Sequence, residues 1–342
     1  MTYLVTGSAG FVGYHVTKAL LAGGHRVIGL DSVNDYYRVD LKEARLAGID
    51  GVTKGLPPES WRFYRGNLED SGLVSAIFAS HRFDRVIHLA AQAGVRYSIT
   101  NPRAYAESNL DGFLNILEEC RTHKIGHLAY ASSSSVYGMN RKVPFSESDP
   151  VDHPVSLYAA TKRANELMAH TYAHLYGLPV TGMRFFTVYG PFGRPDMAYF
   201  KFADAIRQGR EIDIYNGGDL LRDFTYIDDV VRAVVSIADR PALPCPVSAD
   251  DPQGIPRPDR SSAPYRIYNV GNSDPVRLET FISILETELA VKAKRNYLPM
   301  QAGDVYMTAA DTSALERDFG WKPSTPIADG LKKFVEWYKN FY

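Results

Sequence analysis

Tyr3-Leu4-Val5-Thr6-Gly7-Ser8-Ala9-Gly10-Phe11-Val12-Gly13 decides the fold. A short β-branched run enters a glycine-spaced turn, and an amphipathic pattern runs from residue 11 to 22 until Gly23-Gly24 closes it. Glycine permits a tight turn and a close backbone approach to a pyrophosphate, whose charge is favoured at the helix N-terminus. The next strand, 26–31, ends on Asp31. A carboxylate there accepts hydrogen bonds from an adenosine ribose and repels a 2′-phosphate, which favours NAD over NADP. The Gly-x-x-Gly-x-x-Gly spacing is looser than the strict dehydrogenase fingerprint, so the strand–helix context and Asp31 carry the reading.

Outward from this loop, short apolar runs alternate with longer amphipathic ones. Strands are expected at 62–64, 85–90, 127–131 and 180–185. Helices are expected at 103–122 and 156–176, the second ended by Gly177. This is the signature of an α/β fold with a Rossmann-type, doubly wound parallel sheet. After Gly190 the pattern changes, with short strands at 212–215 and 267–270 among helices at 199–208, 227–238 and 278–288. The expected division is 1–184 for the dinucleotide-binding domain, including the Tyr158 helix, and 185–342 for a smaller mixed α/β domain. Some elements of the second part return to the first. The stretch 241–264, rich in Pro, Ser and Asp, reads as a surface loop.

The bulk properties exclude several classes. At 342 residues, 45% hydrophobic and 23% charged, the chain has an ordinary globular composition. A net charge of -1 gives no electrostatic case for nucleic acid or an anionic membrane. Cys120 and Cys245 are too few for a disulfide framework, and Cys120, in a helical run, reads as a buried thiol. No signal peptide and no bilayer-length apolar run is evident, so a cytoplasmic protein is expected.

Two further stretches carry chemistry: Ser132-Ser133-Ser134-Ser135-Val136-Tyr137 and Tyr158-Ala159-Ala160-Thr161-Lys162. Four residues apart on a helix, the Tyr158 phenol and the Lys162 ammonium share one face. A nearby cation favours the phenolate, so Lys162 is expected to depress the Tyr158 pKa. Tyr158 would then be the general base that removes a hydroxyl proton while hydride leaves the same carbon, with a serine hydroxyl holding the reacting oxygen. Tyr-x-x-x-Lys alone is common in helices. Downstream of a dinucleotide loop and a hydroxyl-rich strand end, it reads as catalytic.

With these motifs in place, the chain resembles the extended short-chain dehydrogenase/reductase family, and within it the nucleotide-sugar epimerases. The resemblance runs from Thr6-Gly7 through Tyr158 and Lys162 to Arg222-Asp223-Phe224. It implies catalytic roles for Ser133, Tyr158 and Lys162, with Lys162 also hydrogen-bonding the nicotinamide ribose. NAD is implied as cofactor, held by Gly7, Gly10, Phe11, Val12, Gly13, Asp31, Asn34, Asn67 and Leu68. Ala90, Ala91 and Gln92 match the loop bordering the phosphates, while Asn109 and Phe186 match positions lining the cofactor pocket.

The resembling 4,6-dehydratases carry Thr-Asp-Glu where this chain has Ser133-Ser134-Ser135, and the UDP-glucuronate decarboxylases carry Thr-Ser-Glu. UDP-galactose 4-epimerases usually have Asn at Thr187 and Arg at Gln301. The runs 92–98, 184–196 and 299–305 instead resemble UDP-glucuronate 4-epimerases. A UDP-sugar substrate is therefore implied, with Ser134, Ser135 and Thr187 as neutral donors to its carboxylate. Arg194 binds that carboxylate or a phosphate, and Arg96 touches substrate or braces its loop. Arg222, Gln301 and Asp304 hold the UDP moiety. The resemblance also implies a homodimer formed through helices 103–122 and 158–176. A UDP-glucose/UDP-galactose epimerase, a UDP-glucuronate decarboxylase and a non-catalytic NAD-binding regulator stay open as alternatives.

Overall fold

A computed structural model describes residues 1–245, 257–300 and 306–342. The first half alternates strands and helices: β1 (Thr2–Thr6), α1 (Phe11–Ala22), β2 (Arg26–Asp31), α2 (Val39–Thr53), β3 (Trp61–Arg65), α3 (Ser71–Ser80) and β4 (Arg85–His88). Short α4 (Tyr97–Thr100) and α5 (Pro102–Ala106) lead through a π turn (Glu107–Asp111) into α6 (Gly112–Thr122). Then come β5 (Leu128–Ser133), a 3-10 turn (Ser134–Tyr137), α7 (Leu157–Tyr176) and β6 (Val180–Phe185).

Hydrogen bonding orders the main sheet β3-β2-β1-β4-β5-β6-β10, with β10 at Tyr265–Val270 and every neighbouring pair parallel. The chain winds outward from β1 to β3, then returns to the other side of β1 as β4. That reversal opens a crevice at the carboxyl ends of the strands, where doubly wound sheets bind ligands. Side chains alternate across the sheet with period two. Leu4 enters the core under α3, α6 and α7, while Tyr3 and Val5 enter the opposite core with α1, α2 and α9 (Ile227–Asp239).

The remaining elements build a second layer. The strands β7 (Thr187–Tyr189), β9 (Leu221–Tyr226) and β11 (Pro275–Arg277) form a three-stranded sheet, and β8 (Glu211–Tyr215) pairs with β12 (Lys294–Leu298). Around them α8 (Ala198–Arg207), α10 (Leu278–Leu289) and α12 (Ile327–Phe341) share a third core. Between α10 and α12 in sequence, α11 (Ser313–Phe319) returns Leu315 to the core beneath α1. Among the described residues no helix is long and apolar enough to cross a membrane.

Some elements differ from expectation. The single helix expected at 103–122 contains the π turn, which frees a backbone carbonyl that Asn165 Nδ2 takes at Asn109 O (2.6 Å). The strand expected to reach residue 90 stops at His88, because the chain must diverge there to form the crevice wall. Helix α2 escaped notice because Gly48 and Gly51 interrupt a weakly apolar pattern. Its Leu41, Leu46 and Ile49 nevertheless pack inward. Residues 246–256 of the expected surface loop lie outside the described residues. Cys120 is fully buried, as expected.

Candidate active site

The crevice holds a cleft of about 650 Å³. Its floor begins at the glycine turn. The pairing of Thr6 with Leu30 places Gly7 beside the end of β2, and the Gly7 amide donates to Leu30 O (2.7 Å). Gly7 has φ +74°, and a Cβ at Gly13 would lie 2.0 Å from Gly7 O. A side chain at either point would spread the turn. Gly10 caps α1 without a side-chain hydrogen bond, so the first-turn amides remain a site for an anion. Asp31 Oδ2 accepts from Ala9 N (3.0 Å) and Oδ1 from Val33 N (2.8 Å). A carboxylate with about four acceptor positions retains two for ribose hydroxyls. A glycine cradle, a bare helix N-terminus and a terminal carboxylate together fit a dinucleotide.

Of the residues expected around the cofactor, Gly7, Gly10, Phe11, Val12, Gly13, Asp31, Asn34, Asn67, Leu68, Ala90, Ala91, Gln92 and Phe186 line this cleft. Asn109 is not among its lining residues. It is buried behind the wall, where it accepts from Gln92 N (2.8 Å) and donates to Gln92 O and Thr161 Oγ1 (3.0 Å each). It therefore ties the 90–94 loop to α7. Lys42, which sequence reading missed, also lines the cleft and donates to both Asn34 oxygens (2.6 Å each).

Three strand spacings away from β2, about 14 Å, lies the end of β5. The register Ser133↔Phe185 brings the serine run beside Phe186 and Thr187. Ser133, Ser134, Ser135, Thr187, Tyr158, Lys162, Arg194 and Arg222 all line the cleft here. Ser133 Oγ accepts from Ser135 N (3.2 Å) and lies 3.0 Å from Ser135 Oγ. Ser156 caps α7 by accepting from Ala159 N, which starts the helix at Leu157, one residue before Tyr158.

Burial and a further cation, neither evident from the spacing, enter the electrostatics of the pair. Burial raises the Tyr158 phenol, opposed by the Ser133 hydrogen bond and then by the Arg194 charge. Lys162 turns its Nζ to Ala131 O (3.0 Å), and burial lowers it to about 8. Lys162 Nζ is thereby tied to β5, and the Arg194 charge also favours the phenolate.

Arg194 is placed by long-range contacts. Phe192, two residues before it, has φ +57°. Its carbonyl accepts from Arg45 Nη2 (2.7 Å) and Nε (3.1 Å), and Gly193 O accepts from Nη2 (3.2 Å). The same fully buried guanidinium donates to Ala9 O (3.0 Å) in the glycine turn. Arg45 thus ties the cofactor loop to the loop carrying Arg194. The Arg194 amide donates to Tyr199 Oη (3.1 Å), and its side chain forms a two-pronged ion pair with Asp196 (3.0 and 2.5 Å). Tyr36 Oη donates to the same carboxylate (3.2 Å). Arg45 and Tyr36 had no motif to announce them, and Asp196 stood out only as the end of the run 184–196.

Arg222 donates to Leu221 O (3.0 Å) and Tyr306 O (3.2 Å). Its neighbour Asp223 is buried and accepts from Asn272, Ser273 and Ala310 amides (2.7–3.0 Å), fixing the strand that presents Arg222. Arg96 is exposed outside the cleft lining, over the Tyr215 ring at 5.7 Å. Gln301 and Asp304 lie outside the described residues. Among the described residues no group of acidic, His or Cys side chains could hold a metal.

Residues 3–246 match the model of the NAD dependent epimerase/dehydratase family. Protein CapI of Staphylococcus aureus is 52% identical over 342 residues, covering 100% of this chain and 99% of that one. UDP-glucuronate 4-epimerase 1 of Arabidopsis thaliana is 49% identical, covering 100% of this chain and 77% of its own. The crystal structure of UDP-glucuronic acid 4-epimerase from Bacillus cereus, in complex with UDP-glucuronic acid and NAD, superposes with a TM-score of 0.85. That comparison is at 29% identity and covers 100% of both chains.

Proposed function

The chain belongs to the NAD dependent epimerase/dehydratase family, and from that premise we propose that it inverts carbon 4 of UDP-glucuronic acid to give UDP-galacturonic acid. The supporting relatives are the Arabidopsis and Bacillus cereus UDP-glucuronate epimerases. One observation carries the choice of sugar. The cleft wall beside Tyr158 presents Ser134, Ser135, Thr187 and Arg194, a set of donors for a carboxylate, and no acid stands in the serine run.

NAD, held along the glycine turn and Asp31, supplies a nicotinamide that accepts hydride from carbon 4 and returns it. The chain's own groups handle the proton. Tyr158 Oη removes it from the 4-hydroxyl while Ser133 Oγ hydrogen-bonds the same oxygen. The resulting 4-keto sugar turns over about its diphosphate link, and Tyr158 returns the proton to the oxygen on the opposite face. Arg222 anchors the diphosphate during the turn. A ketone β to the carboxylate loses carbon dioxide when the carboxylate bond aligns with the carbonyl π system. Hydroxyls of Ser134, Ser135 and Thr187 hold the carboxylate out of that alignment.

In this reading residues 1–184 mainly bind the dinucleotide and 185–342 mainly bind the UDP-sugar. The working form is a homodimer in which the apolar faces of α6 and α7 meet their counterparts. The deciding experiment incubates purified protein with UDP-glucuronic acid alone and follows the carbon-4 proton couplings by NMR. UDP-galacturonic acid should accumulate to a fixed ratio with no net redox change. Formation of a UDP-pentose as the main product would replace the assignment with a decarboxylase.

A further inference from the structure

Arg194 is paired within the chain itself. Its Nε and Nη2 take both oxygens of Asp196 (3.0 and 2.5 Å), and Tyr36 Oη donates to the same carboxylate (3.2 Å). The Arg194 backbone is equally fixed, by Tyr199 at its amide and by Arg45 at the two preceding carbonyls. Arg194 and Asp196 side chains are 23% and 24% exposed, so the pair sits largely out of water at the cleft wall. An unpaired guanidinium here would present its full fork to an incoming carboxylate, and such two-pronged contacts are among the strongest hydrogen bonds.

A strong clamp conflicts with inversion. The sugar ring must turn over between the two hydride transfers, and any hold on the carbon-5 carboxylate must be released in each cycle. Binding that is equally tight in the resting and intermediate states lowers KM without helping the slow step. We propose that Asp196 is a positioning residue that occupies the Arg194 fork, so that the substrate carboxylate is recognised by Arg194 but never clamped by it. Specificity for an acidic sugar and freedom of that sugar to rotate then come from one ion pair. This inference rests on the UDP-glucuronate reading above.

Replacing Asp196 by Asn keeps shape and the Tyr36 contact but removes the charge. The expected result is a split: KM for UDP-glucuronic acid falls about tenfold and kcat falls about tenfold, as one lost charge-assisted contact would give. The inhibition constant of UDP-glucose, which has no carboxylate, should stay unchanged. Asp196→Glu, which keeps the charge, should restore kcat. Asp196→Ser provides a second charge-free variant should the amide perturb folding.

A rise in KM, a parallel shift for UDP-glucose, or wild-type kinetics in both charge-free variants would overturn the assignment. Absence of carbon-4 inversion in the wild-type protein would instead strike the underlying function, and the two failures are separately visible.

Discussion

Tyr158 sits between two opposing influences. Removal from water raises its phenol, while the Ser133 hydroxyl and the Arg194 charge favour the ionised form. A base held above its ordinary value is ionised only at higher pH. The rate kcat/KM should therefore climb from neutral into the alkaline range, and a pH profile measures it. Tyr158→Phe should lower kcat by about a thousandfold while leaving UDP binding by calorimetry nearly unchanged. Near-normal turnover would remove this phenol from the reaction. The spacing of Tyr158 and Lys162 was legible because a helix fixes which residues share a face. That Arg194 also bears on the phenol was not, because only the fold brings its loop to α7.

The segment β5, 3-10 turn, α7 and β6 forms one buried polar unit behind the serine run. Arg184 makes a two-pronged pair with Glu166 (2.8 and 2.9 Å), both fully buried, and Ser132 Oγ donates to Glu166 (2.7 Å). Arg184 also donates to Tyr137 Oη (3.1 Å), which in turn donates to Asn269 on β10 (2.6 Å). Glu147 completes the unit by accepting from Asn269 N (2.9 Å). Burial pushes Glu147 up to about 7, and the Asp311 and Asp259 charges act in the same direction. A carboxyl raised on folding adds full stability below its unfolded value, and that contribution is lost as pH climbs toward 7. The cost of ionising it amounts to at most about 3 kcal/mol. Glu147→Gln should match wild type in urea midpoint at pH 5 and exceed it at pH 8. Equal midpoints at both pH values would show that Glu147 does not titrate in the folded protein. None of this was visible in sequence, since Glu147 lies in an aperiodic stretch and its partners come from distant strands.

At the scale of the molecule, helix α7 carries two faces. One presents Tyr158 and Lys162 to the cleft. The other exposes Leu157 (40%), Leu167 (53%) and Leu175 (61%), and Leu114 on neighbouring α6 is 41% exposed. At 100° per residue the three α7 leucines fall within about 80° of arc, a stripe suited to helix–helix packing. Sedimentation should give a dimer, and Leu167→Arg should shift it to monomer; a monomeric wild type would end the homodimer proposal. By itself, the sequence determined the doubly wound sheet, the dinucleotide loop and the Tyr158–Lys162 helix. Each follows from local periodicity or from residues a few positions apart. Only the tertiary structure decided that Arg45 joins the glycine turn to a loop 147 positions away. It also decided that Tyr36 and Asp196 meet across 160 positions, and that Asn109 braces the cleft wall from behind. Buried polar groups must find partners wherever packing brings them, and that choice is made by the assembled sheet and its helices rather than by neighbours in the chain.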